Sequence, residues 1–295
     1  MNQFLQQIVN GLDHGSIYAL IAIGYTLVYG VLRLINFAHG DVFMVGAFLG
    51  LIAGEKFHQG LWVSMVIAMI GCAALGLVIE RFAYRPLRKA PRLAVLITAI
   101  GVSLLLENGG QMPQVFGPNS RAYPPFIVGP PLHLGPMIIQ LSAIYIWSIT
   151  GCISLALWYL VMRTRLGRAM RAVQHDQEAA ALMGINVNAI ISFTFALGSA
   201  LAAVAGVLYA CDYGTVDPLM GLMPGLKAFV AAVLGGIGSI PGAILGGILL
   251  GVVETAMAGL PGGATYQDGI AFLILIVVLL WRPTGLLGTG AVEKV

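Results

Sequence analysis

Long apolar runs separated by short polar interruptions make up most of the chain. Hydropathy and breaker residues predict helices over 12–34, 41–54, 61–80, 93–109, 140–162, 188–211, 224–238, 241–259 and 267–281. Most of these runs approach the roughly 20 residues a helix needs to cross a bilayer. The pattern therefore predicts an all-α polytopic membrane protein, with about nine transmembrane segments (8–10) in a single domain over 1–295. Two runs are shorter: 41–54 has 14 residues and 224–238 has 15, where a full crossing takes about 17–25. These two are expected to be short or discontinuous. The first follows Tyr29-Gly30 and the polar INFAHGD turn of Ile35 to Asp41; the second follows Tyr213-Gly214 and the TVDPLMG turn of Thr215 to Gly221. Strict alternation puts the two turns on opposite sides of the membrane. Broken segments in corresponding places of oppositely oriented halves point to an inverted repeat around a transport path.

Composition and charge sharpen this picture. Hydrophobic residues form 59% of the 295 positions and charged residues 9%, against about 25% charged in a soluble domain. The basic residues concentrate in Arg81, Arg85, Arg88, Lys89 and Arg92 and again in Arg163, Arg165, Arg168 and Arg171. Such clusters beside apolar spans mark the cytoplasmic side and do not form a nucleic-acid surface. With both clusters inside, 110–139, which holds Arg121 among seven prolines including Pro136, becomes an ordered but irregular periplasmic loop. The amino terminus then lies outside, and the carboxyl terminus, with Arg282 and Lys294, inside. The first fifteen residues carry no lysine or arginine and lack the basic start of a secretory signal, so the chain is expected to begin near Met1. Cys72, Cys152 and Cys211 lie in apolar surroundings without paired spacing and read as buried packing residues.

One interruption is strongly polar: RTRLGRAMRAVQHDQEAAALMGINV, from Arg163 to Val187. Asp176 is placed to cap a helix start, Glu178 adds favourable charge in the first turn, and Gly184 can end the helix in a left-handed conformation. A helix over Gln177 to Met183 follows, two turns and about 10 Å long. So short a helix is unstable alone in water and needs a surface, either a partner or the underside of this chain.

Other features have a bland reading. Gly46/Gly50, Gly242/Gly246 and Gly247/Gly251 are small-xxx-small pairs that let helices approach closely. LGGIGSIPG, from Leu234 to Gly242, lacks the lysine of a phosphate-binding loop and reads as a sharp helix-to-helix turn. Asn36, His39 and Asp41 have the chemistry to bind an ion or relay protons. Without a chain of such groups, helix capping and pathway lining is the favoured reading. Glu80, Glu107 and Glu254 fall near span ends, within reach of the interface. The histidines at 14, 39, 58, 133 and 175 show no HExxH spacing, and no Gly-x-Ser-x-Gly elbow occurs, so neither an enzyme nor a metal site is expected.

Five blocks carry a family resemblance: IYALIAIGYTLVYGVLRLINFAHGDVFMVGAF (17–48), IERFAYRPLR (79–88), LGRAMRAVQHDQEAAALMGIN (166–186), GLKAFVAAVLGGIGSIPGAILGG (225–247) and RPTGLLG (282–288). They resemble the branched-chain amino acid ABC transporter permease family, specifically its H-type subunit, over nearly the whole chain, with 110–140 the least recognisable part. The resemblance implies a multi-pass subunit of the bacterial inner membrane. It would pair with a second related permease, two cytoplasmic ABC ATPases and a periplasmic substrate-binding protein, and import leucine, isoleucine or valine by ATP-driven alternating access. ATP and magnesium would be used by the partner ATPases, with no cofactor bound by this chain. Glu178-Ala179-Ala180, with Gly184, resembles the EAA-type core of the loop that couples permease to ATPase. Pathway candidates are Tyr29, Asn36, His39, Tyr213 and Asp217. Urea and short-chain amide permeases are similar in the INFAHG region, which leaves a second substrate class open. An ion-coupled secondary transporter is the competing mechanism, while a membrane scaffold or an intramembrane enzyme lacks a supporting constellation.

Overall fold

A computed structural model describes residues 2–288 except 33, 35, 59, 89 and 136; the side chains of 2, 92 and 134 are also outside it, and Ile35, Lys89, Pro136 and Lys294 lie outside the described residues. The chain runs through α1 (Asn2–Leu32), α2 (His39–Phe57), α3 (Leu61–Ile79), a π-helical turn (Glu80–Tyr84), a 3-10 turn (Arg85–Leu87) and α4 (Arg92–Gly110). Strands β1 (Arg121–Ala122), β2 (Leu132–Leu134) and β3 (Met137–Ile139) lead to α5 (Leu141–Arg163), α6 (Arg165–His175), α7 (Gln177–Leu182) and α8 (Val187–Tyr213). Then come β4 (Thr215–Val216), α9 (Leu222–Gly235), α10 (Ile240–Ala258), a 3-10 turn (Gly263–Tyr266) and α11 (Gln267–Trp281).

Each apolar run predicted from sequence falls on a helix. Among the described residues, seven helices are long and apolar enough to cross a membrane. The run expected to be short at 41–54 is a helix of 19 residues. Hydropathy had cut it at His39-Gly40 and at Glu55-Lys56, polar residues that nevertheless continue the helix. The other short run is α9, with 14 residues.

Burial sorts the helices into layers. In their most apolar windows α1 is 89% and α8 78% buried, whereas α4 is 17% and α11 11% buried. Two central helices are thus sheathed by outer ones that turn leucine, isoleucine and valine outward. Lipid tails are as apolar as those side chains, so hiding them gains little and close backbone contact must hold the bundle instead. A Cβ on Gly15 would stand 2.8 Å from Ile248 Cα, and one on Gly247 would stand 2.6 Å from Ala19 Cα, so α1 and α10 pack backbone to backbone. Gly46 lies against Ala203 of α8 in the same way.

The packing repeats itself. α1 runs along α10 as α3 runs along α8; α1 meets α9 as α8 meets α2; α2–α3 matches α9–α10, and α2–α4 matches α9–α11. Exchanging α1, α2, α3 and α4 for α8, α9, α10 and α11 preserves these contacts.

Residues 110–139 contain more order than the proline content suggested. β2 and β3 form an antiparallel hairpin with His133 opposite Ile138, and β1 pairs with β4, Arg121 opposite Val216. Gln6 brackets Ile138 from α1, its amide donating to the carbonyl at 2.9 Å and accepting from the N–H at 2.9 Å. The cysteine expectation holds only in part: Cys72 is buried, but Cys152 is exposed and Cys211 half-buried, because Cys152 sits on the outward face of α5.

Candidate functional site

The segment between α5 and α8 folds as two helices. The predicted α7 has the caps read from its sequence: the Asp176 carboxylate accepts from the N–H groups of Glu178 at 2.8 Å and Ala179 at 2.9 Å. At the other end Gly184 takes φ +83°. The N–H of Gly184 donates to Ala181 O at 3.0 Å and that of Ile185 to Ala180 O at 3.0 Å, a Schellman ending. The helix stops at Leu182, one residue before the predicted end. Leu182 is 89% and Met183 83% exposed. Of the predicted core, Glu178, Ala179 and Gly184 are exposed, while Ala180 is buried against the body. The preceding α6 was not foreseen. Thr164 caps it, accepting from Gly167 N–H at 3.1 Å, and it buries Gly167, Met170 and Val173. Three-residue spacing of those small and apolar positions was its signal, hidden by the arginines between them.

Hydrogen bonds tie this segment to the rest of the chain. Gln177 donates to the carbonyl of Val31 in α1 at 3.3 Å. Arg88 donates to Asn188, at the start of α8, at 2.6 Å and also pairs with Glu80. Glu80 accepts from Ser192 at 2.7 Å as well. Glu80 was expected near the interface, but it is 1% exposed, drawn inward by the π-helical turn that follows α3. Such turns recur at functional positions. From the same turn Tyr84 donates to Asn36 Oδ1 at 2.8 Å, fixing the break between α1 and α2.

That break meets its counterpart inside the bundle. Gly40, in the first turn of α2, lies against Gly221 and Gly225 at the start of α9; a Cβ on Gly40 would be 3.1 Å from Gly225 Cα. His39 is buried between Gly24 and the ring of Tyr25, centroids 4.7 Å apart. Helix capping by His39 or Asp41, the expected role, is not what the structure shows. The cap position of α2 is Ala38, with no side-chain cap, and Asp41 instead accepts a hydrogen bond from Ser103 of α4.

The remaining candidates lie apart. Tyr29 is half-buried near the end of α1. Tyr213 ends α8, its ring stacked on Tyr209 at 4.1 Å and its hydroxyl 3.2 Å from His14 Nδ1. Asp217 builds a turn, accepting from Leu219 N–H at 2.8 Å and from Ser120 at 2.7 Å. Asn36 and His39 thus sit at the α1–α2 break and Tyr213 and Asp217 near β1–β4, so the candidates do not form one constellation.

A polar network missed by sequence reading joins four helices. Lys227 of α9 pairs with Glu254 of α10 and with Asp268 of α11, the latter at 2.6 Å. Gln267 donates to Glu254 at 2.6 Å, and Tyr18 of α1 bonds it too. Ser142 of α5 donates to Asp212 of α8 at 2.8 Å nearby. Glu254 is 2% exposed, not at an interface, and the absence of any chain of ionisable groups assumed from sequence does not hold. The lone lysine in the apolar run of α9 was the available signal. Among the described residues no group of three histidine, cysteine or acidic side chains could hold a metal ion.

Similarity to known proteins agrees with this architecture. The family model described as branched-chain amino acid transport system / permease component matches residues 7–279. The chain is 46% identical over 304 residues to the high-affinity branched-chain amino acid transport system permease protein BraD of Pseudomonas aeruginosa, covering 99% of this chain and 98% of that one. It is 45% identical over 305 residues to LivH of Salmonella typhimurium, with the same coverage of 99% and 98%. The ribose import permease protein RbsC of Escherichia coli is 27% identical over 289 residues, 94% of this chain and 85% of that one. Among solved structures, PsaBC from Streptococcus pneumoniae in complex with Fab superposes with a TM-score of 0.51 at 14% identity, over 95% of this chain and 92% of that one, a likeness of fold. A multi-pass helical bundle matched by that family model across most of its length, and by BraD and LivH from end to end, belongs to the family of branched-chain amino acid transport system permease components.

Proposed function

We propose that this chain is a permease subunit of an ATP-driven importer that carries leucine, isoleucine and valine across the bacterial inner membrane. It pairs with a second related permease, draws energy from two ABC ATPases and receives solute from a periplasmic binding protein. The observation that carries the reading is α7: a capped helix with Leu182 and Met183 projecting, in a chain 46% identical to BraD. Two turns stopped at both ends and presenting apolar tips suit insertion into a groove on another protein, because an isolated helix of that length would not persist.

Positive charge around 163–171 orients this segment toward the cytoplasm, where ATP is available. The 110–139 loop then faces the periplasm. Closure of the ATPases would displace α7; Gln177 would pass the displacement to α1, and the Arg88–Asn188 contact would carry movement of α8 to the turns after α3. The repeated packing of the two helix sets supports an inverted repeat rocking between outward-open and inward-open states.

Purification of the tagged protein from its native membrane in mild detergent, with identification of every accompanying chain, tests the assembly. Two ABC ATPases and a second permease are expected; a lone or self-paired protein would overturn the importer reading.

A further inference from the structure

Where the two helix breaks meet, a cavity of about 200 Å³ opens between α2, α4 and α9. That is below the roughly 300–1,000 Å³ of sites for drug-sized ligands, a scale suited to one small solute. Its lining mixes two chemistries. Asp41 accepts from Ser103 and lies beside Glu107. Ile100 and Leu104, on the same face of α4 as Ser103 and Glu107, supply apolar surface together with Leu226 and the ring of Phe37.

The charge balance of this cavity is incomplete. Asp41 is 2% exposed, yet among the described residues no lysine, arginine or histidine lines the space. The ion pairs among the described residues join Glu80, Glu55, Glu254 and Asp268 to basic partners and leave out Asp41 and Glu107. A carboxylate held at membrane depth is costly unless paired, and such residues mark solute pathways. A cation small enough for the cavity would balance this pair of acidic side chains. The same space supplies aliphatic surface from Ile100, Leu104 and Leu226.

Building on the importer reading, we propose that this cavity is a transient site for an aliphatic α-amino acid during translocation. The α-ammonium group pairs with Asp41 and Glu107, and the branched side chain lies against Ile100, Leu104 and Leu226. Selection on this basis is mild, because a missing methylene on an aliphatic wall changes discrimination only about 10–200-fold. The cavity therefore refines a choice made earlier by the binding protein.

The test is uptake of labelled leucine and valine by the complete import complex in proteoliposomes, with saturating binding protein. Glu107→Gln should lower leucine uptake at least tenfold in a complex that still assembles with its partner chains. Leu226→Ala, which cuts back the aliphatic wall and widens the cavity, should change the leucine-to-valine rate ratio several-fold, a readout that general damage to the fold would not move. Wild-type leucine flux with both variants retaining the wild-type rate and ratio would overturn the cavity site alone. Absence of leucine flux in the wild-type complex would overturn the importer reading and this site with it.

Discussion

Gln177, the first residue of α7, donates its side-chain amide to the backbone carbonyl of Val31, in the last turn of α1, across 146 positions of sequence. The helix proposed to meet the ATPase is thereby fastened to the helix whose end forms the first break. Asn36, a few residues beyond Val31, is held by Tyr84. A push on α7 reaches the break through one hydrogen bond, while the buried Ala180 keeps the short helix seated. A hydrogen bond of this type contributes a net stabilisation of about 0.5–1.5 kcal/mol, so Gln177→Leu should leave the fold intact. Leucine transported per ATP hydrolysed should fall several-fold in the reconstituted complex, and an unchanged ratio would remove this link from the account.

The caps of α7 set its rigidity. Asp176→Ala should cost about 1 kcal/mol of local stability, and Gly184→Val should add about 1–2 kcal/mol by forcing a β-branched residue into the left-handed region. Combining Gly184→Val with Glu178→Ala should uncouple transport while the permease stays folded. Normal substrate-stimulated ATP hydrolysis and uptake in that double variant would count against the coupling role.

Lys227 is the one basic residue in the network of α9, α10 and α11, and its removal leaves Glu254 buried without its cation. Lys227→Met should destabilise the protein by about 3–5 kcal/mol, the usual cost of breaking a buried pair from one side. Lys227→Met with Glu254→Met should be closer to wild type, since replacing a whole buried pair is often neutral. Thermal unfolding in detergent would compare the two, and equal losses would show that the ions do not act as a pair.

Glycines should respond according to what faces them. Gly15→Ala places a Cβ 2.8 Å from Ile248 Cα, an overpacking that costs about 1–3 kcal/mol. Gly101, in the middle of α4, has nothing within 4 Å of its Cβ position, so Gly101→Ala should raise stability by about 0.5–1 kcal/mol. Opposite shifts in melting temperature are expected for the two.

The legible parts of the fold were those written in contiguous residues. Helix positions followed from hydropathy because the bilayer imposes a length on each apolar run, and α7 could be outlined from Asp176 and Gly184 because both caps act within a few residues. The length of α2 was not legible, since Asp41, Glu55 and Lys56 continue a helix that hydropathy alone would stop. Pairing of Lys227 with Glu254, and of Glu80 with Arg88 and Ser192, depends on how separate helices pack. Glu80 and Glu254 by themselves read as groups near span ends. Nor could the partners of Tyr213 and Asp217 be read from sequence: the first meets His14 of α1 and the second Ser120 beside β1.

Import of branched-chain amino acids, with energy proposed to arrive through α7, is tested by uptake of labelled leucine into proteoliposomes holding the complete complex and binding protein, with ATP on the ATPase side and with proton and sodium gradients dissipated in parallel. Uptake should require ATP and persist when both gradients are collapsed. Uptake that ignores ATP and vanishes with a gradient would contradict ATP-driven import and establish ion-coupled transport instead.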